Sequence, residues 1–477
     1  MKTILPKTIA ACVARVIAIG IPFVVIAGVG VAQDDSDLLG GFLEVSDLVT
    51  DASINPDEVV ATYRALRFRL EGSTTMFHRR VANPSPPGAA SSITERLRLV
   101  AEGNLPMADG LSFQLNAAVT ARGSNLASFD ATSDLTLDLR EAFLSWQPGS
   151  FSLEFGRINI RNGVAAGFNP VDFFRVQDAA ERTNLDPTDA RQNRLGVFTL
   201  RGTYLWESGS ASVTLAPSVT GGGSIWHDQS IVGLHLSSTN PSNRILLSAT
   251  QSLGDGFSPE AYVFYDQGDI SYGLAASYPL GNQWLIYGEW SGGPQRRLVD
   301  GALRGLRDAG RLAPPLAIAF GPDQGASFKS KATIGASFTS ASNIVTSVEY
   351  HYNGSGFDQS DWDQYFALAN AHTADPAVSG QLASIPLHAA LALEPVSRHS
   401  LFIRSQFNDI APDLTLSVLA NFSLVDYSGS FQLQANYDLR DDLTLSGRIG
   451  GTFGPSESDF GSRSAGGFLN IGLSYHF

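Results

Sequence analysis

The last stretch of the chain, Ser464–Phe477, reads SAGGFLNIGLSYHF. From Leu469 onward the apolar side chains occupy every second position: Leu469, Ile471, Leu473, Tyr475 and Phe477. Asn470, Gly472, Ser474 and His476 fill the places between them. A period of two is the signature of a β-strand with one apolar and one wet face. An aromatic residue ends it.

The same alternation recurs upstream. In Leu111–Thr120, Leu111, Phe113, Leu115, Ala117 and Val119 oppose Ser112, Gln114 and Asn116. Further examples centre on Val213, Leu274, Leu416, Leu433 and Leu445. Turn signals join many of these strands: Gln147–Ser150, Asn240–Asn243, Pro279–Asn282 and Asp438–Asp441. Strand after strand joined by hairpins is an antiparallel meander.

The polar face decides what the meander encloses. It carries Arg67, Arg69, Arg96, Arg98, Asp138, Arg140, Glu154 and Arg448 among glutamine and asparagine. Such a face suits a water-filled lumen, while the apolar face, with Tyr and Phe near strand ends, suits lipid. The predicted fold is all-β: a closed antiparallel transmembrane β-barrel of about 16–18 strands with long loops. Tyr475 and Phe477 then resemble the closing strand of bacterial outer-membrane barrels, whose barrel-assembly machinery reads a terminal aromatic residue.

The other end reads as targeting. Lys2, Lys7 and Arg15 precede an apolar run, Val16–Val29, and Gly30-Val31-Ala32 is a small-x-small cleavage site. Residues 1–32 are thus expected to be a signal peptide and 33–61 an acidic tail or small plug, with the barrel spanning 62–477. The one cysteine, Cys12, falls in the signal, so disulfides and thiolate metal sites are not expected in the mature chain. Without the signal the basic count falls from 32 to 29 against 46 acidic residues, a net charge of −17. That charge argues against nucleic acid as a partner. The expected partners are outer-membrane lipid and lipopolysaccharide, the assembly machinery and small solutes.

Three stretches exceed any turn: Ile158–Asn193, Ser291–Phe328 and Asn353–Ser397, the last with a helix-like patch at Trp362–Ala371. Long segments of this kind are usually functional. Counting hairpins back from Phe477 places the last two on the extracellular side. The same count puts Ile158–Asn193 on the periplasmic side, so one strand between Gly209 and Trp290 is either missed or counted twice.

Leu139–Arg175 reads LREAFLSWQPGSFSLEFGRINIRNGVAAGFNPVDFFR. The pattern REAxLxW, then GR, then NPxDxF resembles porin-like outer-membrane barrels, including alginate-export-type proteins and relatives of unassigned role. The resemblance implies a monomeric channel whose loop folds inward beside an arginine-rich wall. It implies no substrate, and the basic ladder of an alginate channel is not evident. From the residues themselves, Arg140, Glu141, Glu154, Arg157, Arg161, Asp172, Arg175 and Arg194 place opposite charges around one loop. They are read as a pore constriction whose guanidinium groups attract anions and whose carboxylates pull cations. The bland alternative is that the charges only pin the loop.

No HExxH, GxSxG or nucleotide loop follows the signal. Ser397, His399 and Ser400 lie close in sequence, and Asp358, Asp361 and Asp363 form an acidic loop, but no catalytic residue, metal or cofactor is expected. The expected function is a porin of the Gram-negative outer membrane, passing small hydrophilic solutes by passive diffusion. The alternative is a carrier of hydrophobic substrates, plugged by its N-terminal segment and binding at Gly163–Phe174.

Overall fold

A computed structural model describes residues 66–80, 84, 93–124, 135–175, 185–219, 236–254 and 256–477. The signal and the acidic segment expected at 1–61 lie outside the described residues.

The described residues form eighteen strands in chain order: β1 (Arg67–Arg79), β2 (Ile93–Ala108), β3 (Leu111–Ser124), β4 (Leu135–Trp146), β5 (Phe151–Ile158), β6 (Val197–Trp206), β7 (Gly209–Ala216), β8 (Arg244–Gln251), β9 (Glu260–Asp266), β10 (Asp269–Leu280), β11 (Trp284–Gln295), β12 (Ser327–Thr339), β13 (Ile344–Asn353), β14 (His399–Ala411), β15 (Leu414–Ser423), β16 (Gly429–Arg440), β17 (Leu443–Phe453) and β18 (Ala465–His476). Each pairs with its neighbours in sequence, and β1 also pairs antiparallel with β18. The sheet is therefore a closed barrel without a free edge. At the seam, the Phe68 N–H donates to the Phe477 carbonyl (3.0 Å) and the Phe477 N–H returns the bond (2.9 Å).

The alternation read in the sequence fixes which face is which. Ile471 is 55% exposed while its neighbour Asn470 is 1% exposed. Buried Asn470 donates to Thr75 Oγ1 (2.8 Å) and accepts from Arg448 (3.0 Å). Polar side chains thus satisfy one another inside, and apolar ones stand outside unpartnered, which only a lipid surround makes favourable. Trp146, Phe151, Tyr204, Trp206, Tyr278, Trp284, Tyr437 and Tyr475 are exposed near the rim that holds Phe477, an aromatic belt. No described helix is long and apolar enough to cross a membrane; the strands do the crossing.

Two expectations need correction. Five strands, β7 to β11, fill Gly209–Gln295, which settles the parity of the hairpin count. With eighteen strands, the connection after β5 falls on the same rim as those after β11 and β13, opposite the rim of Phe477. And Asn240–Asn243 is no tight hairpin turn. It ends a longer connection from β7 to β8, in which buried Asn240 donates to the carbonyls of Phe198 (2.8 Å) and Pro217 (3.0 Å). Gln147–Ser150, Pro279–Asn282 and Asp438–Asp441 do carry hairpins.

The long connections of the loop rim carry helices: α1 (Pro187–Gln192), α2 (Leu236–Thr239), α3 (Leu298–Asp308), α4 (Pro314–Phe320), α5 (Gln359–Ala371) and α6 (Pro376–Leu391). Helix α5 contains the Trp362–Ala371 patch. It starts at a capping box in which Asp358 and Asp361 each accept the other's backbone N–H. Helices α3 to α6 share an apolar core of Leu303, Leu316, Trp362, Phe366, Leu382 and Ile385. They make a packed cap on that rim.

Candidate functional site

The connection from β5 to β6, residues 159–196, does not stay beside its own strands. Its N–H groups at Val164 and Ala165 donate to Glu289 Oε1 on β11 (2.6 and 2.7 Å). Those of Ala166 and Gly167 donate to the two oxygens of Glu349 on β13 (2.7 and 2.9 Å). Four successive amides facing two carboxylates form an anion nest made of backbone. The carboxylates are otherwise buried on the inner face, where an unsatisfied charge would be costly. Tyr287 OH (2.7 Å) and His351 Nε2 (2.8 Å) supply the remaining partners of Glu349.

Sequence explains the close approach. A Cβ on Gly163, which sits at φ +74°, would lie 2.5 Å from Glu289 Oε1, and one on Gly167 2.7 Å from the His351 ring. Only glycine fits either place. Beyond the nest, the Phe168 carbonyl accepts from Thr333 Oγ1 on β12 (2.6 Å). Phe173 stacks on Phe264 of β9 (4.9 Å), and Val171 and Phe174 pack beside it on Leu246 and Tyr262. Farther on, Leu185 N–H donates to Gln432 of β16 (3.0 Å) and Asp186 pairs with Arg404 of β14 (3.2 Å). Asn193 then meets Arg98 of β2 (3.4 Å). The segment is bonded to the inner face of the wall on both sides of its own strands.

The eight charged residues expected to frame a pore occupy several different settings. Asp172 and Arg194 form a buried two-pronged ion pair (2.7 and 3.0 Å), with Arg194 Nε also on Asn159 (2.7 Å). Glu141 accepts the Asn159 N–H (3.1 Å), Arg140 bonds the Asn193 side chain, and Arg157 Nε donates to the Gly196 carbonyl (2.9 Å). These residues converge on the two ends of the segment. Glu154 lies apart, on Arg201 of β6 (2.5 Å), and Arg175 pairs with Glu394 before β14 (3.2 Å). Arg161 is exposed and makes no ion pair among the described residues. Six of the eight thus hold or belong to the segment, Glu154 and Arg161 excepted.

Sequence reasoning missed Glu289, Glu349, Asp186 and Glu394. A usable signal existed at Tyr287-x-Glu289-x-Ser291 and Ser347-x-Glu349-x-His351, where the polar members of alternating strands are buried. A lone acid in such a place needs a partner from elsewhere in the chain.

Other chemistry is answered by the same geometry. Ser397 Oγ is bonded to Trp362 (3.2 Å) and Ser423 (2.8 Å), while His399 lies against Tyr350 OH (2.7 Å). Ser400, His351 and Glu349 do converge, but Ser400 Oγ is 3.5 Å from His351 Nδ1. Phe168 and Phe402 flank that imidazole, and Glu349 is occupied by the nest. Among the described residues no group of three metal-ligating side chains gathers. Asp358 is held by Arg398 (3.0 Å). Within Gly163–Phe174, Ala165, Phe168, Val171 and Phe174 are packed against the wall. An apolar hollow of about 320 Å³ lies instead among Phe155, Phe198, Leu200, Leu215 and Ile245, several of them exposed on the outer face.

These features define a class: a transmembrane β-barrel with an apolar outer belt and a segment bonded across its inner face. No family model matches the sequence, and no curated protein matches it. Solved structures with a similar fold include Acinetobacter baumannii OccAB1, at 10% identity and TM-score 0.49 over 88% of this chain and 97% of that one. A triple-mutant porin of Rhodopseudomonas blastica is similar at 9% identity and TM-score 0.40, over 87% of this chain and all of that one. Both likenesses concern the fold alone.

Proposed function

We propose that this chain is a porin of the Gram-negative outer membrane, an open passage for small hydrophilic solutes that moves them down their gradients. One observation carries the reading: a closed ring with an outward apolar face and an inward polar one, crossed by a segment tied to the wall. The described parts of this segment, 159–175 and 185–196, form the narrow part of the passage in this reading. The resemblance of Leu139–Arg175 to alginate-export-type barrels enters only as support for a channel with an inward loop. The aromatic end, Tyr475 and Phe477, serves the assembly machinery, and lipid with lipopolysaccharide surrounds the belt.

The charge offered to the solute is narrower than the sequence suggests. Arg140, Arg157 and Arg194 are spent on the segment's own carbonyls and side chains, which leaves Arg161 as the exposed guanidinium of that group. The purified protein should conduct ions in planar bilayers and let sugars and amino acids swell liposomes. Arg161→Ala should lower its preference for anions over cations. Absence of conductance would overturn the channel, and unchanged selectivity would overturn the role of Arg161 alone.

A further inference from the structure

Glu394 sits where three parts of the molecule meet. It follows α6 in the cap, and its Oε1 accepts Lys331 Nζ of β12 (2.6 Å) and Arg175 Nη2 of the inward segment (3.2 Å). The turn that presents it is strained. Leu393 adopts φ +53°, a left-handed conformation that a branched side chain rarely takes, as Leu393 and Glu394 bond back to the carbonyls of Ala390 (3.1 Å) and Ala389 (2.9 Å). Among the described residues Arg175 has few other holds. Its guanidinium lies over the Phe168 ring (5.3 Å), and its buried Nη1 finds no hydrogen-bond partner.

We propose that Glu394 is a latch through which the cap on the loop rim sets the position of the inward segment. The cap is a packed body with its own apolar core, joined also to the connection before β18 by Asn370 and Glu457 (2.8 Å). Movement of the α6 turn withdraws the carboxylate. Arg175 then loses its ionic partner in a buried place, and Phe168–Arg175 is drawn off the wall toward water. The strained turn at Leu393 supplies the bias to move, and the shared hold on Lys331 and Arg175 supplies the resistance. A contact between cap and segment that can be made or released is what coupling between an outer surface and an inner passage requires.

This inference rests on the channel reading, so its test has one readout that does not depend on current. In the full chain, hydrogen exchange at the Ala166 and Gly167 amides should quicken about tenfold in Glu394→Gln, the size of an ordinary coupling. Arg175→Gln should do the same, and the double variant should add nothing to either single change. In bilayers the same variants should switch between current levels more often. Unchanged exchange in both single variants, or effects that add in the double, would overturn the latch. Faster exchange with steady current would keep the latch and remove the segment from the conducting path. Should Glu394→Gln fail to assemble, Arg175→Gln leaves Glu394 its lysine and decides the question by itself.

Discussion

Asp172 and Arg194 grip each other through two parallel hydrogen bonds, 2.7 and 3.0 Å long, with both side chains almost wholly withdrawn from water. Asp172 lies within the segment and Arg194 near its end, so their bond folds the segment's end back onto its middle. Removing one partner strands the other. Arg194→Ala should cost the segment about 3–5 kcal/mol of local stability. The ring should persist, since its strand pairing does not involve this pair. Exchange of the segment's amides, set against the heat at which the barrel unfolds on a denaturing gel, separates the two effects.

Gly163 and Gly149 make a matched pair for substitution. Both lie at positive φ, but a Cβ on Gly149 meets nothing within 4 Å, whereas one on Gly163 meets Glu289 Oε1 at 2.5 Å. Gly149→Ala should cost about 1–2 kcal/mol, from backbone strain alone. Gly163→Ala should displace the nest from the wall and raise single-channel conductance. Equal effects of the two in thermal unfolding and conductance would contradict this account of the loop.

Tyr287→Phe removes one of the four donors to Glu349 and leaves the ring in place. The expected loss is about 1–3 kcal/mol, because a buried charged acceptor is left short of a partner. Urea or heat unfolding of the refolded barrel measures it. No change would mean that Ala166, Gly167 and His351 suffice.

The pH dependence of the cap joint follows from Glu394. Burial would raise its pKa, but Lys331 and Arg175 outweigh burial and hold it below its ordinary 4.5. His388 on α6 also faces it, and burial keeps that imidazole below its usual value despite the pull of Glu394. A depressed carboxylate stabilises above its unfolded pKa and loses that contribution as pH falls through the folded one. The joint should therefore hold from neutrality down to about pH 4.5 and loosen below it. Amide exchange in α6 followed from pH 7 to pH 3 checks this, and loosening near pH 6 would contradict it.

Much of the wall was legible because strand alternation is a local property. Leu469 to Phe477, Leu111 to Val119 and the hairpin turns at Pro148-Gly149 and Leu280-Gly281 carry their assignments in neighbouring residues. The total of about 16–18 strands was right, and only the stretch around β8 stayed open, where Asn240-Pro241-Ser242-Asn243 has the composition of a tight turn but buries its first asparagine between two strands. The site was less legible. Charge is visible in a sequence, but whether a guanidinium faces a solute or a carbonyl depends on residues far along the chain. Arg157 is taken by Gly196, and Glu349 by amides 183 and 182 positions away. Single acids on alternating strands were the available clue.

The mutual hydrogen bonds of Phe68 and Phe477 join strands that stand first and last among eighteen. Every other pairing is between neighbours in sequence, whereas this one joins residues some four hundred positions apart. Until it forms, both outermost strands present raw amide edges to whatever surrounds them, and such edges recruit other chains. A synthesis halted a dozen residues early would yield no smaller pore, only an open sheet prone to aggregation. Completion of the circle thus needs β1 and β18 present together, however much of the rest has already paired.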